Sequence, residues 1–241
     1  MILNVNKPIN WTSNDVVRKL KSLLNLKKVG HAGTLDPLAT GVLIVLTDGD
    51  TKKQTEFMQM RKEYIFEMAL GVISETYDME GPLFLTEGFQ SLSDSEISQL
   101  LALDNIQKIF QKYVGKILQK VPSYSAVKVA GKPLYKYARS SRKENITLPH
   151  KEIDIHNTEI LDIAFKKEIL IMGKTYFLPH ITVKVACGKG TYIRSLAHDV
   201  GQDLQVGATV TKLTRTKIGS YTLEESLDLN SIKDSLAIKC D

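Results

Sequence analysis

The sequence predicts a chain that combines helices and strands around a main sheet, and its pattern of apolar residues supports this fold class. Residues 42–46 form a continuous apolar run, which is typical of a buried strand. Residues 62–70 and 181–187 alternate between two faces, which indicates two further strands, the second of them half-buried. Apolar residues within 16–24 recur at helical spacing. With 241 residues, the chain is long enough for one large domain or for a main domain with a small insertion.

The first predicted elements are a short strand at residues 2–5 and an amphipathic helix whose apolar face lies within residues 16–24. Ser13, Asn14 and Asp15 are suited to cap this helix. Its polar side and the residues that follow carry the cations Arg18, Lys19, Lys21, Lys27 and Lys28. A solvated helix face is the common explanation for such charges. Contact with phosphate groups is the alternative, because the cations cluster toward the segment that comes next.

Asp36 lies in that next segment, a stretch of glycines and small residues at 30–41 that leads directly into the buried strand. A carboxylate beside a core strand must be hydrogen-bonded and paired, or it must serve a function that justifies its desolvation. Pro37 disfavours helical geometry before it, and the glycines allow another backbone or a ligand to approach closely. The spacing alone leaves two interpretations equally open, a turn Asp that bonds its own loop and a catalytic carboxylate.

Tyr64 begins the apolar face of the strand predicted at 62–70. Its ring is expected either to pack in the core with its hydroxyl satisfied, or to offer a stacking face to a nucleic-acid base.

Residues 86–150 are predicted to form an insertion on the main sheet. Ser93 and Glu96 make a capping box for a helix there. Residues 119–128 and 131–139 then interleave lysines and an arginine with tyrosines and prolines. Cations that meet phosphates and rings that meet bases are typical of a nucleic-acid groove, which we favour over an ordinary exposed loop.

Residues 188–194 turn from the strand at 181–187 into a helix that continues to Val200. Lys189 is followed by Gly190 rather than Ser or Thr, so the segment is not a phosphate-binding P-loop, and Ile193 breaks the dinucleotide fingerprint. No nucleotide cofactor is therefore predicted. Arg194 lies where a side chain often points into a site, although a surface salt bridge is the alternative.

Composition narrows the class of protein further. A net charge of +5 and a pI near 9.0 favour a polyanionic partner. Cys187 and Cys240 lie far apart without clustered ligands, so neither a disulfide framework nor a zinc site is predicted. The chain shows no leader segment and no apolar run of 18 residues, so we expect a cytoplasmic protein without a membrane span.

Several stretches together resemble the bacterial tRNA pseudouridine-55 synthase family, the TruB type. These stretches are Lys7-Pro8, residues 30–41, Thr76-Tyr77-Asp78 with Gly81, residues 121–139, residues 187–194, and residues 213–216 with Gly219. The resemblance covers nearly the whole chain in order. It implies the pseudouridine synthase fold, an α+β architecture with a mixed, mainly antiparallel central sheet flanked by helices. It also implies isomerisation of one uridine in the tRNA T loop, at position 55, to pseudouridine.

The resemblance assigns roles to individual residues. Asp36 matches the catalytic aspartate, Arg194 the arginine that pairs with it, and Tyr64 the tyrosine that stacks on the target base. The remaining substrate contacts that it implies are His31, which enters the T loop, Tyr192 and Leu213. Lys7 and Pro8 match a structural pair beneath the site.

The reaction moves the glycosidic bond from N1 to C5 of uracil, so no cofactor and no metal are expected. It needs a nucleophile that can add and later leave, which a carboxylate does readily. We expect a guanidinium to keep Asp36 ionised, and we expect base flipping with a pocket walled by Tyr64, Tyr192 and Leu213. His31 is expected to act sterically rather than by proton transfer.

Departures from the family leave alternatives open. Only about twenty residues follow Gly219, too few for the PUA domain of many relatives, so we expect one catalytic domain over 1–241 that acts as a monomer on tRNA. Ser123 and Ser141 replace residues usual in the family's insertion. Two other functions stay open, that of a guide-RNA-dependent synthase subunit and that of an RNA-folding chaperone whose Asp36 is idle.

Overall fold

The computed structural model describes residues 1–140, 146–229 and 232. Ser141 and Cys240 lie outside the described residues. The helices are α1 Ser13–Leu23, α2 Gln54–Gln59, α3 Glu87–Gln90, α4 Asp94–Leu100, α5 Leu103–Gln111, α6 Leu134–Ala138 and α7 Ile193–Asp203, with a 3-10 helix at Asp48–Lys53. The strands are β1 Ile2–Lys7, β2 Val29–Ala32, β3 Thr40–Thr47, β4 Lys62–Leu70, β5 Val72–Ser74, β6 Leu83–Leu85, β7 Gly115–Lys120, β8 Lys128–Val129, β9 Lys132–Pro133, β10 His150–Ile171, β11 Lys174–Cys187, β12 Ala208–Ile218, β13 Tyr221–Thr222 and β14 Leu227–Asp228.

Helix α1 forms where the sequence predicts it, but its cap is one residue earlier. Thr12, not Ser13, is the N-cap: its hydroxyl accepts from the backbone N–H of Asp15, and the Asp15 carboxylate accepts from the backbone N–H of Thr12. This is a capping box, which satisfies two of the otherwise unpaired donors at a helix start. Ser13 is buried and serves a different purpose, described with the site below.

The predicted strands are also present; β3 is buried as its apolar run predicts, and β4 is buried more completely than its alternation suggests. β3 is fully buried from Val42 to Leu46. In β4, the residues from Phe66 to Leu70 are buried on both faces, including Glu67. The predicted strand at 181–187 forms the second half of β11.

The chain divides into two compact units. The first comprises residues 1–65, 186–189 and 212–241. Its strands are ordered β14, β1, β3, β12, with β2 on β3 and β13 on β12. β3 pairs antiparallel with β1 and β2, and parallel with β12. Helix α1 packs Val16 and Leu20 against β1 and β3 in one core cluster.

The second unit comprises residues 66–185 and 190–211. Its strands are ordered β4, β11, β10, β7, with β10 and β7 antiparallel. Two antiparallel pairs, β5 with β6 and β8 with β9, lie outside this order. The predicted capping box of α4 is present, with the Ser93 hydroxyl bonded to the backbone of Glu96.

The pairing is therefore mixed and mainly antiparallel, and helices accompany the strands in both units, as the α+β prediction requires. The boundaries of one domain over 1–241 with an insertion at about 86–150 stay a prediction. None of the described helices combines the length and the apolar character that crossing a membrane requires.

Candidate active site

The loop that carries Asp36 is fixed by hydrogen bonds on both sides of the carboxylate. Gly33 begins the loop with a φ of +87°, a conformation that glycine adopts without strain. The backbone N–H of Leu35 donates to the Ser13 hydroxyl at 2.9 Å, and the backbone N–H of Ala39 donates to the Asp36 carbonyl at 3.0 Å. The Asp36 backbone is thus held in place, while its residue stays partly exposed.

Lys7 lies beneath this loop and has no exposed surface. Its ammonium donates to the carbonyl oxygens of Pro8 at 2.9 Å and Pro37 at 3.2 Å, and also to the carbonyl of Trp11. A buried ammonium must find such acceptors. The contact with Pro37 anchors the residue that follows Asp36, in agreement with the structural role that the resemblance implies.

Tyr64 lies in β4 with its side chain buried. Its hydroxyl is 3.5 Å from Nη1 of Arg215, whose guanidinium carbon is 5.9 Å from the ring centroid. Burial raises the pKa of the Tyr64 phenol, and the nearby Asp36 carboxylate adds to the increase. The phenol is therefore protonated at neutral pH.

His31 lies in β2, the strand that enters the Asp36 loop. Its backbone carbonyl accepts from the Gln54 amide at 2.7 Å, and its buried Nδ1 has no hydrogen-bond partner among the described residues. Burial, with a contribution from Arg215, lowers the pKa of the imidazole. A neutral ring suits the steric role expected of it.

Arg194 is almost completely buried in the first turn of α7, at 4% exposure, so it is not the surface residue considered as an alternative. Nη1 lies 3.2 Å from the Asp78 carboxylate and donates to the Thr76 carbonyl at 2.6 Å. Nη2 donates to the Tyr124 carbonyl at 3.1 Å. The guanidinium is thus held by three acceptors, and a lysine ammonium lacks the planar fork that reaches them together.

Asp78 is the carboxylate that pairs with Arg194. The resemblance assigned no role to it. It is 1% exposed and accepts from the Thr76 hydroxyl at 2.5 Å and from the backbone N–H of Glu80 at 3.0 Å. The turn needs Gly81, because a Cβ there would approach the Ser74 hydroxyl to 2.5 Å. Residues 76–78 and Gly81 belong to the stretches that carry the resemblance, but nothing in their spacing indicates that Arg194 is the partner of Asp78.

Tyr192 is the N-cap residue of α7 and is held by β7. Its backbone N–H donates to the Gln119 amide oxygen at 2.8 Å, and the Gln119 amide donates back to the Tyr192 carbonyl at 3.0 Å. This reciprocal pair fixes the start of the helix that carries Arg194. Leu213, in β12, is 6% exposed.

A scan of the chain against family models gives two matches. Residues 21–193 match the N-terminal domain of TruB family pseudouridylate synthases, and residues 194–240 match a tRNA pseudouridylate synthase B C-terminal domain. The first match alone covers more than half of the chain. The chain belongs to the TruB family. It is therefore an enzyme, a pseudouridine synthase of the isomerase class, as the resemblance implied.

Relatives of this TruB family member support the same assignment. It is 39% identical to a tRNA pseudouridine synthase B from Clostridium tetani, over 97% of this chain and 72% of the relative. It is 38% identical to one from Flavobacterium johnsoniae, over 98% and 95% of the two chains.

Solved structures confirm the pseudouridine synthase fold. A Cbf5-Nop10-Gar1 complex contains a chain that superposes with a TM-score of 0.66 at 26% identity, over 100% of this chain and 55% of that one. A chain in an H/ACA RNP bound to a substrate RNA containing 2′-deoxyuridine gives 0.63 at 25% identity, over 98% and 53%. The present chain spans about half the length of those chains.

The residues to which the resemblance assigns roles do not all belong to the same unit. Asp36, His31, Tyr64 and Leu213 belong to the first unit, and Arg194 and Tyr192 to the second. The ion pair expected between Asp36 and Arg194 stays a prediction. No group of three or more His, Cys, Asp or Glu residues in the described ranges is arranged to hold a metal ion.

The basic and aromatic residues of 131–139 contact one another. The Lys132 ammonium lies 4.1 Å from the centroid of the Tyr137 ring, and the Arg139 guanidinium 5.8 Å from that of Tyr135. The Tyr137 hydroxyl donates to the Val129 carbonyl at 3.1 Å. The role predicted for this segment in nucleic-acid binding stays a prediction.

Proposed function

We propose that the chain converts a uridine in the T loop of tRNA, at position 55, to pseudouridine, with Asp36 as the reacting carboxylate. The observation that carries the proposal is Asp36 itself: a carboxylate on a hydrogen-bonded, lysine-anchored loop, close to a buried tyrosine. The names of the relatives support tRNA as the substrate.

The reaction breaks the bond between uracil N1 and ribose C1′ and forms one between C5 and C1′. The proton on C5 is lost and N1 gains one, so nothing is oxidised or consumed. A carboxylate that adds and later leaves can act by attack on C1′, by attack on C6, or by assisting elimination from the sugar. Each route requires an ionised Asp36 whose position does not depend on the substrate.

Arg194 supplies the positive charge in this proposal. Its guanidinium would stabilise the negative charge of Asp36 by Coulomb attraction. Asp78 and the carbonyls of Thr76 and Tyr124 orient that guanidinium before the RNA binds. A preorganised charge does not have to be rearranged during the reaction.

The target nucleotide must leave the stack to reach Asp36, which costs a few kcal/mol. Stacking on the Tyr64 ring offsets part of this cost. The neutral ring of His31 occupies the space beside the flipped nucleotide. The proposal gives Tyr64, Tyr192 and Leu213 the role of holding the detached uracil while it turns and of keeping water from reacting at C1′ of the ribose.

Mapping of pseudouridine in tRNA after incubation with the purified chain tests the proposal. We expect one modified position, and we expect release of the C5 hydrogen label to be lost in Asp36→Asn while tRNA binding is retained. Full activity of Asp36→Asn would reject the role of Asp36. If the wild-type chain folds tRNA without releasing label, the chain is an RNA-folding chaperone.

A guide-RNA-dependent reaction is the second candidate, and the similarity to chains from H/ACA complexes favours it. The identity of 36–40% to proteins named tRNA pseudouridine synthase B favours the first. Activity on a bare tRNA transcript separates the two.

We also propose that the enzyme acts as a monomer in the cytoplasm. Measurement of its molar mass in solution tests the oligomeric state.

A further inference from the structure

Arg215 is a buried cation that the proposed reaction does not use. It lies in β12 at 1% exposure, directly opposite Gly41 in the parallel pairing with β3. Its Nε donates to the Val42 carbonyl at 2.7 Å, and Nη2 donates to the Gly33 carbonyl at 2.9 Å. Nη1 faces the Tyr64 hydroxyl at 3.5 Å.

These acceptors belong to three segments that carry site residues. Gly33 begins the loop that presents Asp36, Val42 lies in the strand that follows this loop, and Tyr64 is the proposed stacking residue. One planar group therefore connects both ends of the Asp36 loop to the Tyr64 side chain. All of these residues lie in the first unit.

The acceptors of Arg215 in the described part of the chain are carbonyl and phenol oxygens, and no carboxylate is among them. Burying a guanidinium without an anion is costly, and an apolar side chain of similar volume is often better for stability. This cost has an explanation if the Arg215 guanidinium serves to fix the relative positions of its three acceptors.

We infer that Arg215 is a positioning residue, which sets the distance between the Asp36 loop and the Tyr64 ring. The inference rests on the proposed function. Arginine is required because its donors diverge in one rigid plane toward Val42, Gly33 and Tyr64, whereas a lysine ammonium can reach only part of this set. A displacement of reacting groups by about 1 Å can cost on the order of 100-fold in rate.

The test compares Arg215→Lys and Arg215→Gln with Arg61→Lys as a matched control. Arg61 is exposed and has no side-chain contact with the site among the described residues. Single-turnover rates and tRNA Kd values are measured, together with the 19F chemical shift of 3-fluorotyrosine placed at position 64. Urea unfolding gives the folded fraction of each variant.

We expect both Arg215 variants to lose on the order of 100-fold in single-turnover rate, with Kd within about twofold and an altered 19F shift, and Arg61→Lys to match wild type. A wild-type rate in a folded Arg215 variant overturns the inference. So does failure of both variants to fold, or a loss of rate that only tracks the folded fraction. If the wild-type chain forms no pseudouridine, the proposed function fails instead.

Discussion

Asp36 and Asp78 differ in how much of their environment can be predicted from the sequence. Asp36 is conspicuous in the sequence because a lone charge in a glycine-rich stretch before an apolar strand needs an explanation. Asp78 is not conspicuous, since its burial and its contact with Arg194 arise only when distant parts of the chain meet. The sequence therefore draws attention to the carboxylate that we propose to react, but not to Asp78, the carboxylate that orients Arg194.

Replacement of Asp78 by Asn keeps the shape of the side chain and removes its charge. The buried Arg194 guanidinium would then lose the negative charge at Asp78, so we expect the free energy of unfolding to fall by about 2 kcal/mol and the single-turnover rate to fall with it. Urea unfolding and tritium release measure the two effects. Asp162→Asn, at an exposed position, is the control, and wild-type stability in Asp78→Asn would contradict the structural role.

Two substitutions of Tyr64 test the contributions of its ring and of its hydroxyl separately. Tyr64→Leu removes the stacking face, which is worth about 1–3 kcal/mol per base, so we expect a clear loss of turnover on tRNA. Tyr64→Phe keeps the face and loses only the hydroxyl contact with Arg215, and its loss should be smaller. Unchanged turnover in Tyr64→Leu would remove this residue from the site.

At the scale of elements, periodicity predicts where helices and strands lie better than it predicts which residue caps a helix. α1, β3, β4 and the second half of β11 lie where the sequence places them. The N-cap of α1 is Thr12 rather than Ser13, and the Ser13 hydroxyl instead bonds the backbone of Leu35 in the Asp36 loop. That choice depends on a tertiary contact, and local cap preferences cannot anticipate it.

Helix α7 carries a group with an unusual titration. Burial, with a contribution from Asp203, raises the pKa of Asp199 to about 6. The folded state therefore binds this proton more tightly than the unfolded chain does, so its contribution favours folding at low pH and is lost as the pH rises from about 4 through 6.

We accordingly expect Asp199→Asn to be more stable than wild type at pH 7.5, with the difference vanishing near pH 4. Urea unfolding of both proteins across this pH range measures the effect. Asp104→Asn, at an exposed position on α5, should show no such pH dependence relative to wild type. A pH-independent difference for Asp199→Asn would contradict the raised pKa.

At the scale of the whole molecule, the sequence predicts the α+β class but not how the chain is divided. The first unit is assembled from residues 1–65, 186–189 and 212–241. β4, β11 and β12 each begin in one unit and end in the other. No shift in composition marks such boundaries, because the residues on either side continue the same strand.

The net charge of +5 leads to a prediction for the whole chain. Contacts between cations and phosphates release counterions, so tRNA affinity should fall by roughly tenfold between 50 and 200 mM salt for every two phosphate contacts. Filter binding at several salt concentrations measures the slope. An affinity that does not change with salt would contradict a basic RNA-binding surface.

The close pairing of β3 and β12 at Gly41 limits how the enzyme can be altered. A Cβ at this position would lie 2.2 Å from the backbone oxygen of Arg215, and the φ of Gly41 is +101°. No side chain fits there, not even a methyl group. A library that randomises the Asp36 loop in search of new RNA targets should therefore leave codon 41 untouched, or most of its members will be lost before selection begins.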